Sequence, residues 1–229
     1  VYRNGVQVSD QAGAGGFVDS GLGIGGYTYV VGAYDYAGNQ SDESTSAVVV
    51  IDSVVQTLDI QVSLSEDDAE EQADGSIQLY SSDLEIVDEV GYSLQTVGVR
   101  FQGVAIPANA EIVNAYITFE VDEASSGDAF ISITAEDSAN PVTFSNDAYN
   151  ITNRTTLVSS VQWDISGAWS VDQRFNTADL SSLIQVLVDR GDWVSGGAMS
   201  FIFTGSGTRT VESYNGERAA APTLHIEYR

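Results

Sequence analysis

Hydrophobic and polar residues alternate along most of this chain with a period of two. The alternation is clearest in five segments, at residues 27–34, 112–121, 129–135, 199–204 and 223–228. Such alternation is typical of antiparallel strands that bury one face. The pattern therefore predicts an all-β protein built from half-buried strands.

One segment has helical spacing instead. Apolar residues at positions 180, 183, 184, 187 and 188 would share one stripe of a helix. Thr177 or Asp179 can cap the start of this helix, and Gly191 follows its end. We expect a short helix that closes one end of a β-sandwich, and a helix that binds a partner is the alternative.

The charge of the chain is strongly negative. Its 229 residues include 33 Asp and Glu but only 8 basic residues, all of them Arg, which gives a net charge of −25. A surface of this kind repels phosphate, so it excludes nucleic acid and disfavours anionic membranes as partners. No apolar run approaches the length that a membrane-spanning helix needs. Cations, water and neutral ligands are the expected counterparts.

Few residues are suited to catalysis. The chain has no Cys and a single His, His225, which the alternation places on a polar strand face. Nucleophilic triads, thiolate sites and multi-His zinc sites therefore have little support. A pair of carboxylates can hydrolyse glycosides, but with 33 acidic residues such a pair carries no specificity. We expect that the chain is not an enzyme.

The first 50 residues contain a sequence pattern of their own. It consists of Val1-Tyr2-Arg3-Asn4-Gly5, Phe17-Val18-Asp19-Ser20-Gly21-Leu22, Tyr27-Thr28-Tyr29-Val30-Val31-Gly32-Ala33-Tyr34-Asp35, Ala37-Gly38-Asn39 and Ser41. With these residues the segment resembles the second half of a fibronectin type III domain, and we assign it residues 1–52. The resemblance implies that Tyr27 hydrogen-bonds back to the preceding turn. Because only about four of the seven strands of such a domain are present, we expect the chain to be a fragment of a longer protein.

Residues 53–229 contain a second pattern. It consists of Asp67-Asp68-Ala69-Glu70-Glu71, Ser81-Ser82-Asp83-Leu84-Glu85, Val97-Gly98-Val99-Arg100-Phe101, Ile106-Pro107-Ala108-Asn109-Ala110-Glu111-Ile112, Ala115-Tyr116-Ile117-Thr118-Phe119-Glu120-Val121-Asp122-Glu123, Gly205-Ser206-Gly207-Thr208-Arg209, Glu212-Ser213-Tyr214-Asn215-Gly216 and Ala221-Pro222-Thr223-Leu224. With it, the segment resembles a C-terminal β-sandwich domain of secreted, often marine, bacterial proteins. This domain is related to disaggregatase-related repeats and carbohydrate-binding modules. The resemblance implies a jelly-roll-like antiparallel sandwich in an extracellular or cell-surface setting.

Carboxylates are concentrated in the first part of this second domain. Ten of them lie within the 24 residues 66–89, and no basic residue lies between Arg3 and Arg100. Either they face salt water, where their repulsion is screened, or some of them converge on a cation. Calcium suits a set of carboxylate and carbonyl oxygens. The expected Ca²⁺ ligands are Asp67, Asp68, Glu70, Asp83, Glu85, Asp122 and Glu123, of which Asp122 and Glu123 could meet at a bend where a strand ends.

Aromatic residues in irregular segments are candidates for sugar binding, because a flat ring stacks on a pyranose while polar neighbours bind its hydroxyls. Trp169 and Trp193 are the leading candidates, with Tyr149, Arg174 and Tyr214 as neighbours. The alternative for the two tryptophans is a structural role in the core. For the arginines of the chain, Arg174 among them, the alternative is an ion pair with Asp or Glu.

Taken together, the sequence predicts a non-catalytic, calcium-stabilised extracellular module that recognises polysaccharide or a cell-surface glycan. The alternative is a structural subunit of a calcium-dependent adhesin or filament. Such a subunit would assemble with other copies of itself through the incomplete first sandwich, because a neighbouring chain can donate a missing strand.

Overall fold

The computed structural model describes residues 1–10, 16–51, 54–88 and 94–229. These residues form two compact units, Val1–Val55 and Gln56–Arg229. The predicted domain boundary, between residues 52 and 53, lies outside the described residues.

The first unit is one antiparallel sheet. Its strands are β1 (Tyr2–Arg3), β2 (Val6–Gln7), β3 (Gly25–Val30) and β4 (Ala47–Ile51), in the spatial order β2-β1-β3-β4. The Tyr27 hydroxyl donates a hydrogen bond of 2.8 Å to the carbonyl of Gly23, so the predicted bond to the preceding turn is confirmed. None of the described residues of this unit is buried, and the sheet therefore lacks a core of its own.

The second unit contains twelve strands and one α-helix among its described residues. The strands are β5 (Gln56–Gln61), β6 (Asp68–Glu71), β7 (Ile77–Gln78), β8 (Asp83–Glu85), β9 (Thr96–Val104), β10 (Ile112–Glu123), β11 (Ala129–Ala135), β12 (Val161–Ile165), β13 (Arg174–Asn176), β14 (Gly197–Ser206), β15 (Thr210–Glu212) and β16 (Thr223–Tyr228). A short 3-10 helix, Ser65–Asp67, precedes β6.

These strands form two antiparallel sheets. One has the order β5-β16-β10-β15-β8, with β13 also paired to β10, and the other has the order β12-β11-β14-β9-β6-β7. Phe119 of the first sheet meets Phe203 of the second edge to face, with 5.6 Å between their ring centroids. The two inner faces share one apolar core, so the unit is a two-layer β-sandwich. The predicted all-β fold with one short helix is confirmed.

The helix, α1 (Ser181–Val188), lies where the apolar spacing predicts it. Asp179 accepts a hydrogen bond of 2.9 Å from the backbone N–H of Ser181, which satisfies one free donor of the first turn. The apolar stripe of the helix is buried against β10 and β11. The helix is therefore a structural part of the sandwich core.

A second, smaller core lies on the other side of the sheet that contains β6, β9 and β14. It consists of Ala69, Leu79, Phe144, Ile151 and Ile202. The Phe144 ring lies so close to Gly98 that a Cβ there would be 2.5 Å from it. This core holds the long β11–β12 connection, residues 136–160, against the sheet.

Replacing Phe144 by Ala should lower the free energy of unfolding by about 3–5 kcal/mol, because the ring is fully buried and leaves a cavity. Urea denaturation followed by circular dichroism measures the change. The control is Val142→Ala in the same connection, which should stay within about 0.5 kcal/mol because Val142 is 72% exposed. Equal effects of the two variants would contradict the second core.

Candidate functional site

Six carboxylates meet where β6, β8, β10 and β15 come together. We call them the acidic cluster: Glu70, Asp83, Glu85, Asp122, Glu123 and Glu212. The strand register explains their proximity, since Asp83 lies opposite Glu212 and Glu85 lies opposite Thr210 on β15. β15 in turn pairs with the end of β10, where Glu123 lies opposite Thr210.

The end of β10 is irregular at the cluster. Its register with β15 shifts between Val121 and Glu123, as happens at a β-bulge, which re-aims the neighbouring side chains. Asp122 and Glu123 therefore both reach Asp83, and one oxygen from each of the three carboxylates lies within 4.8 Å of the others. Two oxygens bound to one Ca²⁺ at about 2.3–2.6 Å can be up to about 5 Å apart. The three carboxylates therefore fit around a single ion.

Burial and mutual repulsion raise the pKa values of several cluster members. Desolvation, followed by contact with Glu85, raises the pKa of Glu70 to about 10. Desolvation, followed by a hydrogen bond with Asp122, raises the pKa of Glu212 to about 7. The pKa of Asp83 is also raised, by desolvation and then chiefly by the charge of Glu85. Ionisation of the whole cluster therefore costs free energy unless a positive charge lies close to the carboxylates.

No arginine of the described chain forms a salt bridge with the cluster. The arginines that form salt bridges pair elsewhere: Arg3 with Asp19, Arg100 with Asp67, Arg154 with Glu136, Arg174 with Glu120, Arg190 with Asp137 and Asp192, and Arg229 with Glu111. These pairs agree with the structural interpretation of most arginines. Arg209 differs, because it is 1% exposed and donates to the carbonyls of Thr208, Gly127 and Gly167.

The structure divides the seven predicted calcium ligands. Glu70, Asp83, Glu85, Asp122 and Glu123 belong to the acidic cluster, whereas Asp67 and Asp68 do not. Asp67 accepts hydrogen bonds from Arg100, at 2.6 Å, and from Gln102. Asp68 accepts one of 2.7 Å from the backbone N–H of Tyr214. We correct the predicted ligand set accordingly, because Arg100 pairs with Asp67, and the charge that acts on Asp68 is that of Asp67 and not that of the cluster.

Glu212 is a cluster member that the sequence analysis missed. The alternation within β15 was the available signal, because a three-residue strand places Thr210 and Glu212 on the face opposite Val211.

The two predicted sugar-stacking tryptophans are core residues. Trp169 is 3% exposed and stacks on Phe175 with 4.2 Å between ring centroids. Trp193 is 4% exposed, and its indole N–H donates to the carbonyl of Ile106 at 3.0 Å. Neither ring has a free face for a sugar, so their expected stacking role is corrected. Their irregular surroundings hid the periodicity that would have indicated burial.

The remaining predicted sugar-binding residues lie at separate places. Arg174 is exposed, bonds Glu120 at 2.7 Å and borders a small hollow of about 130 Å³. Tyr214 is partly covered by the guanidinium of Arg218, 5.0 Å from its ring centroid. Tyr149 is 44% exposed and borders a larger hollow of about 300 Å³. These five residues therefore do not form a single site.

His225 lies on the outer face of its sheet, as predicted. It stacks on the neighbouring Tyr116 ring at 4.6 Å and lies within hydrogen-bond distance, 2.7 Å, of Asp59.

Among the described helices, none is long and apolar enough to cross a membrane.

Comparison with known proteins gives only weak likenesses. No family profile and no curated protein sequence matches the chain. A structure described as "Structural basis for the promiscuous specificity of the carbohydrate-binding modules from the beta-sandwich super family" is 9% identical, with a TM-score of 0.23, over 89% of this chain and 72% of that one. An infectious bursal disease virus (IBDV) particle structure is 12% identical, with a TM-score of 0.19, over 80% of this chain and 37% of that one. At TM-scores this low, no property of these proteins is carried over to the chain.

A raised pKa at Asp68 predicts a pH effect on stability. Burial, followed by the charge of Asp67, raises its pKa to about 7, so the folded protein holds a proton that the unfolded chain has lost above about pH 4. In chelator, the free energy of unfolding should therefore fall as the pH rises from about 4 to about 7.

Asp68→Asn should make this decline shallower and raise stability at pH 8, because the amide is neutral and its oxygen still accepts from Tyr214. Denaturant titrations at several pH values measure this effect. The matched control is Asp164→Asn, at an exposed position outside the cluster. A decline that is the same in wild type and Asp68→Asn would contradict the assignment.

Proposed function

We propose that this chain is a non-catalytic, calcium-stabilised binding module of a secreted or cell-surface protein and that it recognises polysaccharide. The acidic cluster carries the calcium part of the proposal, because its six carboxylates converge and no arginine of the described residues forms a salt bridge with them. Protonation of Glu70 and Glu212 relieves part of the repulsion, and two positive charges on one ion would compensate the repulsion among the remaining carboxylates. The hard oxygen donors favour Ca²⁺, which accepts irregular geometry more readily than Mg²⁺ does.

The charge of the whole chain favours a neutral partner. A net charge of −25 disfavours phosphate and other polyanions, whereas neutral polysaccharide carries no charge to repel. The single His of the chain stacks on Tyr116 and contacts Asp59, and the acidic cluster is better suited to holding a cation than to proton transfer. These features support binding rather than catalysis.

Calcium should stabilise the second unit. At a hundredfold excess over its dissociation constant, Ca²⁺ adds about 2.7 kcal/mol, which corresponds to a rise in Tm of about 5–10 °C relative to chelator. Thermal melts in millimolar CaCl₂ and in EDTA measure the shift. Asp122→Asn should abolish most of it, whereas the control Asp164→Asn should keep it. A wild-type melting curve that calcium leaves unchanged would refute this part of the proposal.

Retention on polysaccharide tests the binding function. We expect native gels containing a soluble neutral polysaccharide, such as a β-glucan, a galactomannan or a xylan, to retard the protein in calcium. Gels without polysaccharide provide the reference mobility. Unchanged mobility across a broad panel would count against recognition of polysaccharide.

A second candidate function, assembly into an adhesin or filament, has one observation in its favour. In the four-stranded sheet of the first unit, the apolar side chains of Val6, Val48 and Val50 are 60–68% exposed, and exposed apolar surface favours association. Light scattering over a range of protein concentrations distinguishes the two functions. Concentration-dependent assembly without polysaccharide retention would favour the subunit.

A further inference from the structure

The β11–β12 connection forms a hollow of about 300 Å³ on the outer side of the second core. This volume is at the lower end of the range of about 300–1,000 Å³ that is usual for small-molecule sites. Val142 and Tyr149 provide apolar surface, and Asn153 and Asp147 provide polar groups. We call it the Tyr149 hollow.

Buried hydrogen bonds hold the base of the hollow in place. The carboxylate of Glu71, 3% exposed, accepts hydrogen bonds from the backbone N–H groups of Ile151, at 2.7 Å, and Thr152, at 3.0 Å, and from the Thr152 hydroxyl. Ile151 and Phe144 are both buried in the second core. The connection is therefore fixed at several points, which is the rigidity that a preorganised binding site requires.

Tyr149 has an unusual backbone conformation. Its φ is +60°, in the left-handed region that a bulky residue rarely adopts. Its N–H donates a hydrogen bond of 2.9 Å to the carbonyl of Gly75. Strained residues of this kind persist where the surrounding structure fixes them, and they are frequent at functional sites.

The Tyr149 ring lies with one face on Gly75. A Cβ built on Gly75 would be 2.6, 2.6 and 2.7 Å from three adjacent ring atoms. Nearly equal distances to three adjacent atoms of a hexagon place that point over the ring centre, not at its edge. Since the residue is 44% exposed, the opposite face of the ring is the one available to a ligand.

The charged groups around the hollow determine which ligand it suits. All five N–H donors of Arg154 are occupied: Nε by the carbonyl of Asn150, Nη1 by Glu136 and the carbonyl of Val142, and Nη2 by the carbonyl of Thr143 and the side chain of Asn150. No guanidinium donor is left for a sulfate or a carboxylate. Asp147 contributes a negative charge at the rim. The hollow therefore disfavours anionic sugars.

Polar groups beside the ring remain available for hydroxyls. The side-chain amide of Asn153 is exposed and makes no hydrogen bond to another residue of the described chain. It offers two donors and one acceptor, and the Asp147 carboxylate offers further acceptors. An aromatic face with amide and carboxylate groups beside it matches the apolar face and hydroxyl edge of a pyranose.

We propose that the Tyr149 hollow holds one neutral sugar residue of a polysaccharide, stacked on the free face of Tyr149, with its hydroxyls bonded to Asn153 and Asp147. The inference rests on the proposed function, because it locates the site of polysaccharide recognition. Tyr149 thereby has the stacking role that was predicted for Trp169 and Trp193, whose rings are buried.

The test uses native gels that contain either a neutral polysaccharide (β-glucan, galactomannan or xylan) or an anionic one (alginate or carrageenan). Tyr149→Asn removes the ring, and Asn tolerates the left-handed backbone. It should weaken binding to the neutral polysaccharide at least about tenfold, whereas Tyr149→Phe should keep most of it because the stacking face remains. Asn153→Ala, at an exposed side chain, should also weaken binding. Thermal melts show whether each variant is folded.

The matched control is Tyr80→Ala, at a tyrosine that is 64% exposed and lies outside the hollow. It should bind as wild type does. If a neutral polysaccharide retards wild type, and retards Tyr149→Asn and Asn153→Ala to the same extent as wild type, the hollow is not the site, although the proposed function stands. Retardation only by anionic polysaccharide would also overturn the inference. If no polysaccharide retards wild type, the inference fails together with the proposed function.

Discussion

Four buried carboxylates on and just before β6 constrain the structure of the second unit. Asp67, Asp68, Glu70 and Glu71 are each at most 3% exposed, whereas acidic side chains are almost never fully buried without a partner. Only Asp67 has an arginine, Arg100. The other three accept hydrogen bonds from the backbone N–H groups of Tyr214, Glu85, Ile151 and Thr152. These hydrogen bonds hold β8, the residues that follow β15 and the β11–β12 connection against β6.

The period of two along β6 directs these carboxylates to two different regions. Asp68 accepts a hydrogen bond from Tyr214, which follows β15, and Glu70 accepts one from Glu85 in β8. Glu71 accepts one from Ile151, in the connection that carries Tyr149. One short strand thereby supports both the acidic cluster and the Tyr149 hollow. An ion bound at the cluster would stabilise the strand on which the hollow depends, without contacting the sugar.

Sequence periodicity was sufficient for the fold but only partly sufficient for the sites. The alternation at residues 112–121 predicted most of β10, and the expected bend brings Asp122 and Glu123 to Asp83, because these features depend on neighbouring residues in one strand. The pairing of Asp67 with Arg100 joins residues 33 positions apart, and no local pattern indicates it. The burial of Trp169 also depends on contacts outside its own segment, with Phe175 and Arg209. Glu212 was missed for a related reason, since its side-chain contact is with Asp122, which lies far from it along the chain.

The distribution of eight arginines determines which ligand each region suits. All five N–H donors of Arg154 form hydrogen bonds within the β11–β12 connection. Because Arg154 also pairs with Glu136, the main uncompensated charge beside the hollow is that of Asp147. The acidic cluster has no arginine salt bridge among the described residues, so nothing there offsets the burial and the mutual repulsion that raise the pKa values of Glu70 and Glu212. A proton can neutralise such groups one at a time, but a divalent cation acts on several at once and allows them to stay ionised. The same scarcity of bases therefore underlies both proposals, a Ca²⁺ ion at the cluster and an uncharged ligand in the hollow.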